Sequence, residues 1–582
     1  MRWKVSPRLL FVQFLILPAW LAAQVPPPQV APAQGAQPLY DWLFLGGRVM
    51  DGSGNPWFPA DVAVSGGRIA AIGNLSQARA RRTVSAQGKL IVPGFIDIHS
   101  HADDAVRRMS GLRSSESARR SAPNLVSQGI TTVVVNQDGR SPWPIGEQKA
   151  ALQELGIGPN AILLAGHGTI RRQVMQDDFR RPASQEEVEQ MRQLMRQAIR
   201  EGALGLSAGL EYVPGRWSST DELVALVQEI VPVQGVYISH QRSEGSDPMW
   251  YWPSQDSSPP SLLDAVRETI EIGARTGATV VASHIKAKGA HYWGSGQAAI
   301  LLIERARAEG VDVWADQYPY DTTGSDGNTV LIPRWIWRLG ETEADSAAAS
   351  GNGEESRPGF AGLLKKVLQD PLQAAQLRRD ISHEITRRGG AQKIVVFDYP
   401  EDAAVGKSLA ELASARGIEP VEMAIRLQLE GFSDRPGGAR LRGFSLSEED
   451  IRLYIARPWT ATSSDAGIAL PEDGPVHARF YGTFPRKIRR YALDGQVISL
   501  EQAIRSSTSL PAQILRLKDR GLLREGYAAD LVVLDLENLH DRATFFKPHQ
   551  YAQGVEYVLV NGQAVVENTR LTGALPGQVL AR

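Results

Sequence analysis

The chain has 582 residues, more than one compact core usually holds, so we expect a large domain with smaller units attached to it. Lysine and arginine total 63, against 64 aspartate and glutamate residues. This balance excludes the net basic field that attracts nucleic acid or an acidic membrane surface, and it favours a small-molecule substrate.

The first 23 residues predict a cleavable signal peptide. Basic residues at positions 2, 4 and 8 precede an apolar run from Leu9 to Leu17, and Ala22 and Ala23 suit a cleavage site. An uncleaved membrane anchor is the alternative, but the run is shorter than the ~20 residues that a spanning helix needs. We therefore expect a secreted or periplasmic protein with no stable membrane insertion after cleavage.

Residues 24–38 are rich in proline, alanine and glutamine and show no apolar periodicity, which predicts a flexible tether. The chain contains no cysteine, so it has no disulfide and no lipid can be attached through a cysteine. An oxidising compartment is compatible with this composition. Folded structure is predicted to begin after the tether.

Both ends of the remaining chain predict one small β-domain. Residues 39–92 alternate short β-like runs with turn signals, as in LFLGGRVMDGSG and DVAVSGGRIAAIG. The same pattern returns in residues 495–582, where Asn561-Gly562 between two β-rich runs is a strong hairpin signal. We predict a β-sandwich built from both segments, with everything between them inserted.

Residues 93–494 predict an α/β fold, a TIM-like (β/α)8 catalytic barrel. The apolar runs that would form its strands are FIDIHSH, TTVVVN, AILLAGHG, GALGLSAGL, GVYISHQ, ATVVASHIK, VDVWADQYP and YIARPWTATSSDAG. Helical patterns separate several of these runs, which argues for parallel strands with crossover helices, and eight strands argue for closure. A mostly helical stretch at about 335–445 predicts an insert between strands 7 and 8.

Five of the 10 histidines end predicted strands and would meet at the barrel mouth, and one of them, His167, is expected to have a supporting or structural role. His99 and His101 are two residues apart and share one face of an extended strand, while His240 and His284 end the fifth and sixth runs. A lone histidine there is more often structural, but several together favour a metal such as zinc. Asp465 ends the eighth run, where a carboxylate can bind an ion, move a proton, or simply cap a turn.

Eight motifs occur in a fixed order along the chain: GGRVMDGSG, PGFIDIHSHAD, SHQRSEG, SHIKAKG, YPYDTTGS, SSDAG, HARFYGTFPR and GYAADLVVLD. Each is weak alone, but the set resembles the amidohydrolase superfamily, and within it the N-acyl-D-amino-acid deacylases (D-aminoacylases). The resemblance covers nearly all of the chain after the tether. It implies hydrolysis of the linear amide of an N-acyl-D-amino acid, with one or two zinc ions and a metal-bound hydroxide as nucleophile.

The resemblance also implies roles for the residues at matching positions. The metal ligands would be His99, His101, His240, His284 and Asp465. Asp465 would in addition act as general base and then as general acid. Lys286, Tyr318 and Arg479 would hold the α-carboxylate of the substrate, and two cations with a phenol do suit a pair of anionic oxygens.

The family pattern is broken after the second strand. There the best-known deacylases carry a cysteine that binds the metal, and this chain reads VVVNQDGRS with Gln137. A neutral amide is a poor zinc ligand. We favour Glu211, just after the fourth strand, as the replacement and sixth metal ligand. Asp138 is the alternative, disfavoured because successive side chains of an extended segment face opposite ways, and a site without a protein replacement is the third option.

Two other functions stay open at this point. The same site could belong to a dipeptidase for D-configured peptides or to a cyclic-amide hydrolase, and export would favour D-peptides of the cell wall as substrates. A barrel that binds carboxylates without catalysis is the remaining alternative, and Gln137 is the only feature that supports it.

Overall fold

The computed structural model describes residues 39–104, 111–255, 258–339 and 359–581. The predicted signal peptide and tether lie outside these ranges. Within the described ranges, no helix combines the length and the apolar character needed to cross a membrane.

Strands and helices alternate through most of the chain. The strands are β1 (Leu39–Val49), β2 (Phe58–Ser65), β3 (Arg68–Gly73), β4 (Arg79–Ser85), β5 (Leu90–Pro93), β6 (Phe95–Asp97), β7 (Ser100–His101), β8 (Ile130–Val135), β9 (Asn160–Gly166), β10 (Gly205–Gly209), β11 (Val236–His240), β12 (Thr279–Ala282), β13 (Val313–Gln317), β14 (Ile394–Asp398), β15 (Arg440–Gly443), β16 (Thr460–Thr462), β17 (Ala466–Gly467), β18 (Leu531–Leu534), β19 (Val555–Val560), β20 (Gln563–Glu567) and β21 (Arg570–Leu571). The helices include α1 (Ser117–Arg120), α2 (Pro123–Val126), α3 (Ile145–Leu155), α4 (His167–Met175), α5 (Gln185–Glu201), α6 (Thr220–Ile230), α7 (Leu262–Thr276), α8 (Gly296–Ala308), α9 (Phe360–Gln369), α10 (Pro371–Arg387), α11 (Leu409–Ala415), α12 (Pro420–Glu430), α13 (Glu448–Ile455), α14 (Arg479–Arg486), α15 (Leu500–Ser507) and α16 (Ser509–Ile514).

The two chain ends form one β-domain, as predicted. Its sheet has nine strands in the order β21-β20-β19-β18-β5-β1-β2-β3, with β4 also paired to β1. The strands are hydrogen-bonded into one sheet, and Trp42 and Phe44 of β1 lie in the core of this domain. The Asn561-Gly562 turn joins the antiparallel strands β19 and β20.

Eight parallel strands form the barrel, in the order β16-β13-β12-β11-β10-β9-β8-β6, and each corresponds to one predicted run. Every residue of β8 and β9 is buried. Strands covered on both faces read as continuous apolar runs, which is why they are visible in the sequence. The crossover helices α5 and α7 begin at capping boxes formed by Ser184 with Glu187 and by Ser261 with Asp264.

A short pair of strands links the first and last barrel strands. Residues Ser100 and His101 of β7 pair in parallel with Ala466 and Gly467 of β17. The helices α15 and α16 then pack against β6 and β16. The predicted boundary of the β-domain at residue 495 stays a prediction.

The helical insert lies between barrel strands 7 and 8. It contains α9 to α12 and the antiparallel pair β14 and β15. Its buried residues, among them Leu364, Ile381 and Leu427, form a hydrophobic cluster separate from that of the barrel. The insert can therefore shape the mouth of the barrel without changing the packing of its strands.

Candidate metal centre and active site

Asp138 lies where four of the strand-end histidines converge. Its Oδ1 is 3.6 Å from His99 Nε2, 3.5 Å from His240 Nδ1 and 3.6 Å from His284 Nε2. Its Oδ2 is 3.6 Å from His101 Nε2. The buried Oδ1 forms no hydrogen bond with any described residue. One carboxylate thus faces both pairs of histidines.

The backbone after β8 turns Asp138 inward. Asn136 and Asp138 both have positive φ, at 68° and 57°, a conformation that asparagine and aspartate tolerate better than most residues. Gln137 points away, because its amide donates to the carbonyl oxygens of Ile98 and Val134 at 3.0 Å each. The turn breaks the alternation of an extended segment, so Asp138 rather than Gln137 reaches the histidines.

The outer ring nitrogens of His99 and His101 are held by acceptors. His99 Nδ1 lies 2.6 Å from Ser283 Oγ, which itself donates to Asp316 Oδ2 at 2.7 Å. His101 Nδ1 lies 2.6 Å from Asp104 Oδ2. When each Nδ1–H is donated outward, both Nε2 atoms keep a lone pair that points into the site.

The outer ring nitrogens of His284 and His240 also have partners, but one partner of His284 Nδ1 is a donor, Lys286 Nζ at 2.8 Å. His284 Nδ1 lies 3.2 Å from Glu244 Oε1, and its Nε2 faces Asp138. His240 Nε2 lies 3.2 Å from Glu211 Oε2, and its Nδ1 faces Asp138. Glu211 is therefore on the outer side of the His240 ring. Asp138 is thus the carboxylate that faces all four histidines, while Glu211 forms a three-donor group with His240 and Glu244. Both the predicted ligand Glu211 and the alternative Asp138 stay predictions.

The donor atoms fit a zinc ion or a pair of them. Donors ~2.0–2.1 Å from a tetrahedral zinc lie roughly 3.3 Å from one another. His240 Nδ1 and His284 Nε2 are 2.9 Å apart, and His99 Nε2 and His101 Nε2 are 3.4 Å apart. Asp138 completes a three-donor group with each pair. The buried Oδ1 of Asp138, which has no hydrogen bond to a described residue, is the strongest indication of a bound cation.

The charges around the histidines also favour a cation. Burial and the neighbouring His284 lower the pKa of His99 to about 3, so its ring is neutral, the form that binds metal. Burial acts to lower the pKa of His240 as well, but Asp138 and Glu244 outweigh it and raise this pKa to about 10. The carboxylates therefore stabilise positive charge at the centre of the site.

Asp465 lies beside the histidines, where the sequence predicts it. Its φ is 49°, and its backbone N–H donates to the carbonyl of His99 at 2.9 Å. Oδ1 is 3.2 Å from His101 Nε2, and Oδ2 is 2.8 Å from Arg479 Nη1. Burial acts to raise the pKa of Asp465, but Arg479 and His101 hold it well below its usual range. Asp465 is thus ionised.

The three predicted carboxylate-binding residues line one cavity of about 320 Å³ at the barrel mouth. The centre of the Tyr318 ring is 5.6 Å from Lys286 Nζ and 4.8 Å from the guanidinium carbon of Arg479. The Tyr318 hydroxyl and Arg479 Nε have no hydrogen-bond partner among the described residues. Lys286 differs, because it donates to Glu244 and lies 2.8 Å from His284 Nδ1.

Two carboxylates that orient the histidines, Glu244 and Asp316, are not predicted from the sequence. Glu244 contacts both His284 and Lys286. The sequence feature that could have indicated it is its position, four residues after His240 at the end of a strand. Asp316 supports His99 through Ser283, and its signal was a buried carboxylate at the end of the seventh predicted strand. Neither signal distinguishes an orienting residue from a ligand.

A barrel of this kind, with buried histidines and carboxylates at the C-terminal ends of its strands, is the architecture of a metal-dependent hydrolase. The sequence matches the amidohydrolase family over residues 82–229 and 383–566, more than half of the chain. The protein therefore belongs to the amidohydrolase family, as its motifs predict.

The similarity to characterised proteins extends over nearly the whole chain. N-acyl-D-glutamate deacylase of Alcaligenes xylosoxydans xylosoxydans is 33% identical over 568 residues, covering 94% of this chain and 97% of that protein. D-aminoacylase of the same organism is 32% identical over 566 residues, covering 93% and 98%. The structure of N-acyl-D-glutamate deacylase from Bordetella bronchiseptica, complexed with zinc and a phosphonate mimic of the tetrahedral intermediate, matches with a TM-score of 0.69 at 28% identity, over 94% of this chain and 100% of that one.

Proposed function

We propose that this protein is a metal-dependent deacylase of N-acyl-D-amino acids. The observation that carries the proposal is the convergence of four histidines on Asp138, beside a second carboxylate, Asp465, that is paired with Arg479. The relatives named as N-acyl-D-glutamate deacylase and D-aminoacylase support the class of substrate.

The residues that would hold one or two divalent ions are His99, His101, His240, His284 and Asp138. An ion held there supplies Lewis-acid chemistry, because it polarises the scissile carbonyl and makes a water molecule more acidic. Glu211 and Glu244 fix the rings of His240 and His284, so the inward nitrogens are in place before an ion binds.

Asp465 is the group that moves the proton. Its carboxylate takes a proton from the attacking water and then delivers it to the nitrogen of the leaving amine. Tyr318 and Arg479 present an unused hydroxyl and an unused N–H toward the cavity, which suits the substrate carboxylate. A substrate carboxylate that engages Arg479 competes with Asp465 for the guanidinium and so makes Asp465 a stronger base when substrate is bound.

The test is a comparison of amide classes on the purified, zinc-loaded enzyme. Steady-state hydrolysis is measured for N-acetyl-D-amino acids, their L-enantiomers, dipeptides ending in a D-residue, and hydantoins. We expect the N-acetyl-D-amino acids to give the highest kcat/KM. Removal of the metal with a chelator is expected to abolish this activity, and addition of zinc is expected to restore it. Preference for an L-enantiomer or for a cyclic amide contradicts the proposal.

We further propose that the protein is exported. The support is the order of basic, apolar and small residues in positions 1–23, which lie outside the described residues. Mass spectrometry of the mature protein from the periplasm or medium is expected to find an N-terminus near Gln24. A full-length chain retained in the cytoplasm contradicts export.

A further inference from the structure

A groove lined by tryptophans opens beside the candidate active site. Its volume is about 1180 Å³, against about 320 Å³ for the cavity over the histidines. Its walls carry five of the 13 tryptophans of the chain, all partly exposed: Trp217, Trp250, Trp252, Trp335 and Trp337. A space of this size suits a ligand much larger than an acetyl group.

The groove and the cavity share a wall. The residues that line both are Arg140, Tyr212, Met249, Ser325 and Asn328. The ring centre of Tyr212 is 4.3 Å from that of His240, so the shared wall reaches the metal centre itself. A substrate whose amide lies over the histidines therefore extends directly into the groove.

The orientation of the substrate follows from where its carboxylate binds. Lys286, Tyr318 and Arg479 line the cavity and not the groove. A carboxylate held by these residues leaves the opposite end of the scissile amide, the acyl end, free to enter the groove.

The groove offers flat apolar faces and unused polar donors. The guanidinium carbon of Arg216 lies 4.1 Å from the ring centre of Trp217 and 5.2 Å from that of Trp250, and no described carboxylate pairs with Arg216. The buried Nε1 of Trp250 donates to no described residue. A buried indole N–H normally has an acceptor, so a ligand oxygen suits this position.

We infer that the groove binds the acyl part of the substrate, and that this part is an extended aromatic group with a further carbonyl oxygen, rather than acetyl. The indole faces stack on the aromatic ring, and the Trp250 N–H donates to the second carbonyl. The inference rests on the proposed deacylase function and narrows its substrate class.

Three substrates of one D-amino acid test the inference: the N-acetyl, N-phenylacetyl and N-benzoylglycyl derivatives. In the wild-type enzyme we expect kcat/KM to rise by about tenfold from acetyl to phenylacetyl, and to rise again for benzoylglycyl, which adds the carbonyl. Equal values for the three derivatives, or a gain that follows the size of the amino-acid side chain on N-acetyl substrates instead, overturns the inference. If no N-acyl-D-amino acid is hydrolysed, the deacylase proposal itself fails.

Variants of Trp250 separate stacking from hydrogen bonding. Trp250→Phe keeps a flat ring without the N–H, so we expect it to retain the gain for phenylacetyl and lose the further gain for benzoylglycyl. Trp250→Ala is expected to lose both gains, so that kcat/KM becomes nearly equal for the three substrates. The matched control is Trp57→Ala, at a 44% exposed position of the β-domain, which leaves all three rates unchanged. Equal losses for all three substrates in Trp250→Ala contradict the assignment.

Discussion

Asp138 differs from Glu211 and Asp465 because its buried Oδ1 has no hydrogen bond to any described residue. Glu211 accepts a hydrogen bond from the Met249 N–H at 2.6 Å, and Asp465 pairs with Arg479. An unsatisfied buried carboxylate oxygen is costly in free energy, and a bound cation removes this cost. We therefore expect metal binding to depend strongly on Asp138.

Asparagine at position 138 removes the charge that the two histidine pairs share. We expect Asp138→Asn to weaken zinc binding by more than about 100-fold, and Glu211→Gln, which acts only through His240, to weaken it by ~10–100-fold. Gln137→Ala is the control and keeps the wild-type affinity, because the Gln137 amide faces backbone carbonyls. Zinc titration against a competing chelator measures all three. A larger loss in Glu211→Gln than in Asp138→Asn would restore Glu211 as the ligand.

Asp465→Asn keeps the shape of the side chain but removes the proton acceptor. We expect kcat to fall by about 10²–10⁴-fold with little change in KM. Zinc content measured on the same sample separates the two predicted roles of Asp465. The variant keeps the wild-type zinc content if Asp465 only transfers protons, and it contains less zinc if Asp465 is a ligand. Activity within tenfold of the wild type would exclude Asp465 as the base.

The four histidines were predictable because the C-terminal ends of parallel barrel strands converge, whatever the details of the loops. The position of the Asp138 side chain was not, because it depends on the positive φ of Asn136 and Asp138. The sequence contains residues that tolerate this conformation, but tolerance does not specify a turn. The conformation of this loop could therefore not be predicted from the sequence.

Among the secondary-structure elements, those buried on both faces were the predictable ones. All eight barrel strands correspond to apolar runs. The pair β7 and β17, which closes the barrel, has two residues in each strand and so no readable periodicity. Asp473, six residues after β17 in the chain, is bound by Arg119 of α1, which donates to both of its oxygens at 2.6 and 2.8 Å.

Loss of the Asp473 charge should destabilise the fold strongly. The side chains of Arg119 and Asp473 are 1% and 4% exposed. Asp473→Asn therefore leaves a buried guanidinium without its counter-ion, and we expect the free energy of unfolding to fall by about 3–5 kcal/mol. Asp519→Asn, which breaks the exposed pair with Arg68, is the control and should cost less than about 1 kcal/mol. Denaturant titration measures both variants, and similar losses would contradict the prediction.

The pH dependence of this effect has a definite sign. Burial acts to raise the pKa of Asp473, but Arg119 outweighs it and the pKa lies below its ordinary value. The pair therefore stabilises the fold fully above the unfolded pKa of about 3.9 and loses this contribution as the pH falls through the lower folded value. The difference between wild type and Asp473→Asn should be constant from pH 5 to about 8 and shrink below about 4. A difference that grows in acid would show that another group is responsible.

At the scale of the whole molecule, the barrel and the β-domain share one hydrophobic core. The main buried cluster includes Ile162 of β9 together with Val532 and Val558 of the β-domain. Units joined only by a polar interface usually move and unfold separately. A continuous core instead couples the two, so we expect the barrel and the β-domain to unfold together.

A polar cluster at the same interface provides the test. Arg520 donates to Asp530, and Asp530 also accepts from the Asn160 side chain at 3.0 Å and from the Asn561 backbone N–H at 2.7 Å. Asp530→Ala leaves Arg520 buried without its counter-ion and should lower the stability of the whole chain by about 3–5 kcal/mol. Near-ultraviolet circular dichroism and tryptophan fluorescence are expected to report one coincident denaturant transition in both proteins, shifted in the variant. Because Asn160 belongs to the barrel and Asn561 to the β-domain, two separate transitions, with only one of them shifted, would show that the units are not coupled through this interface.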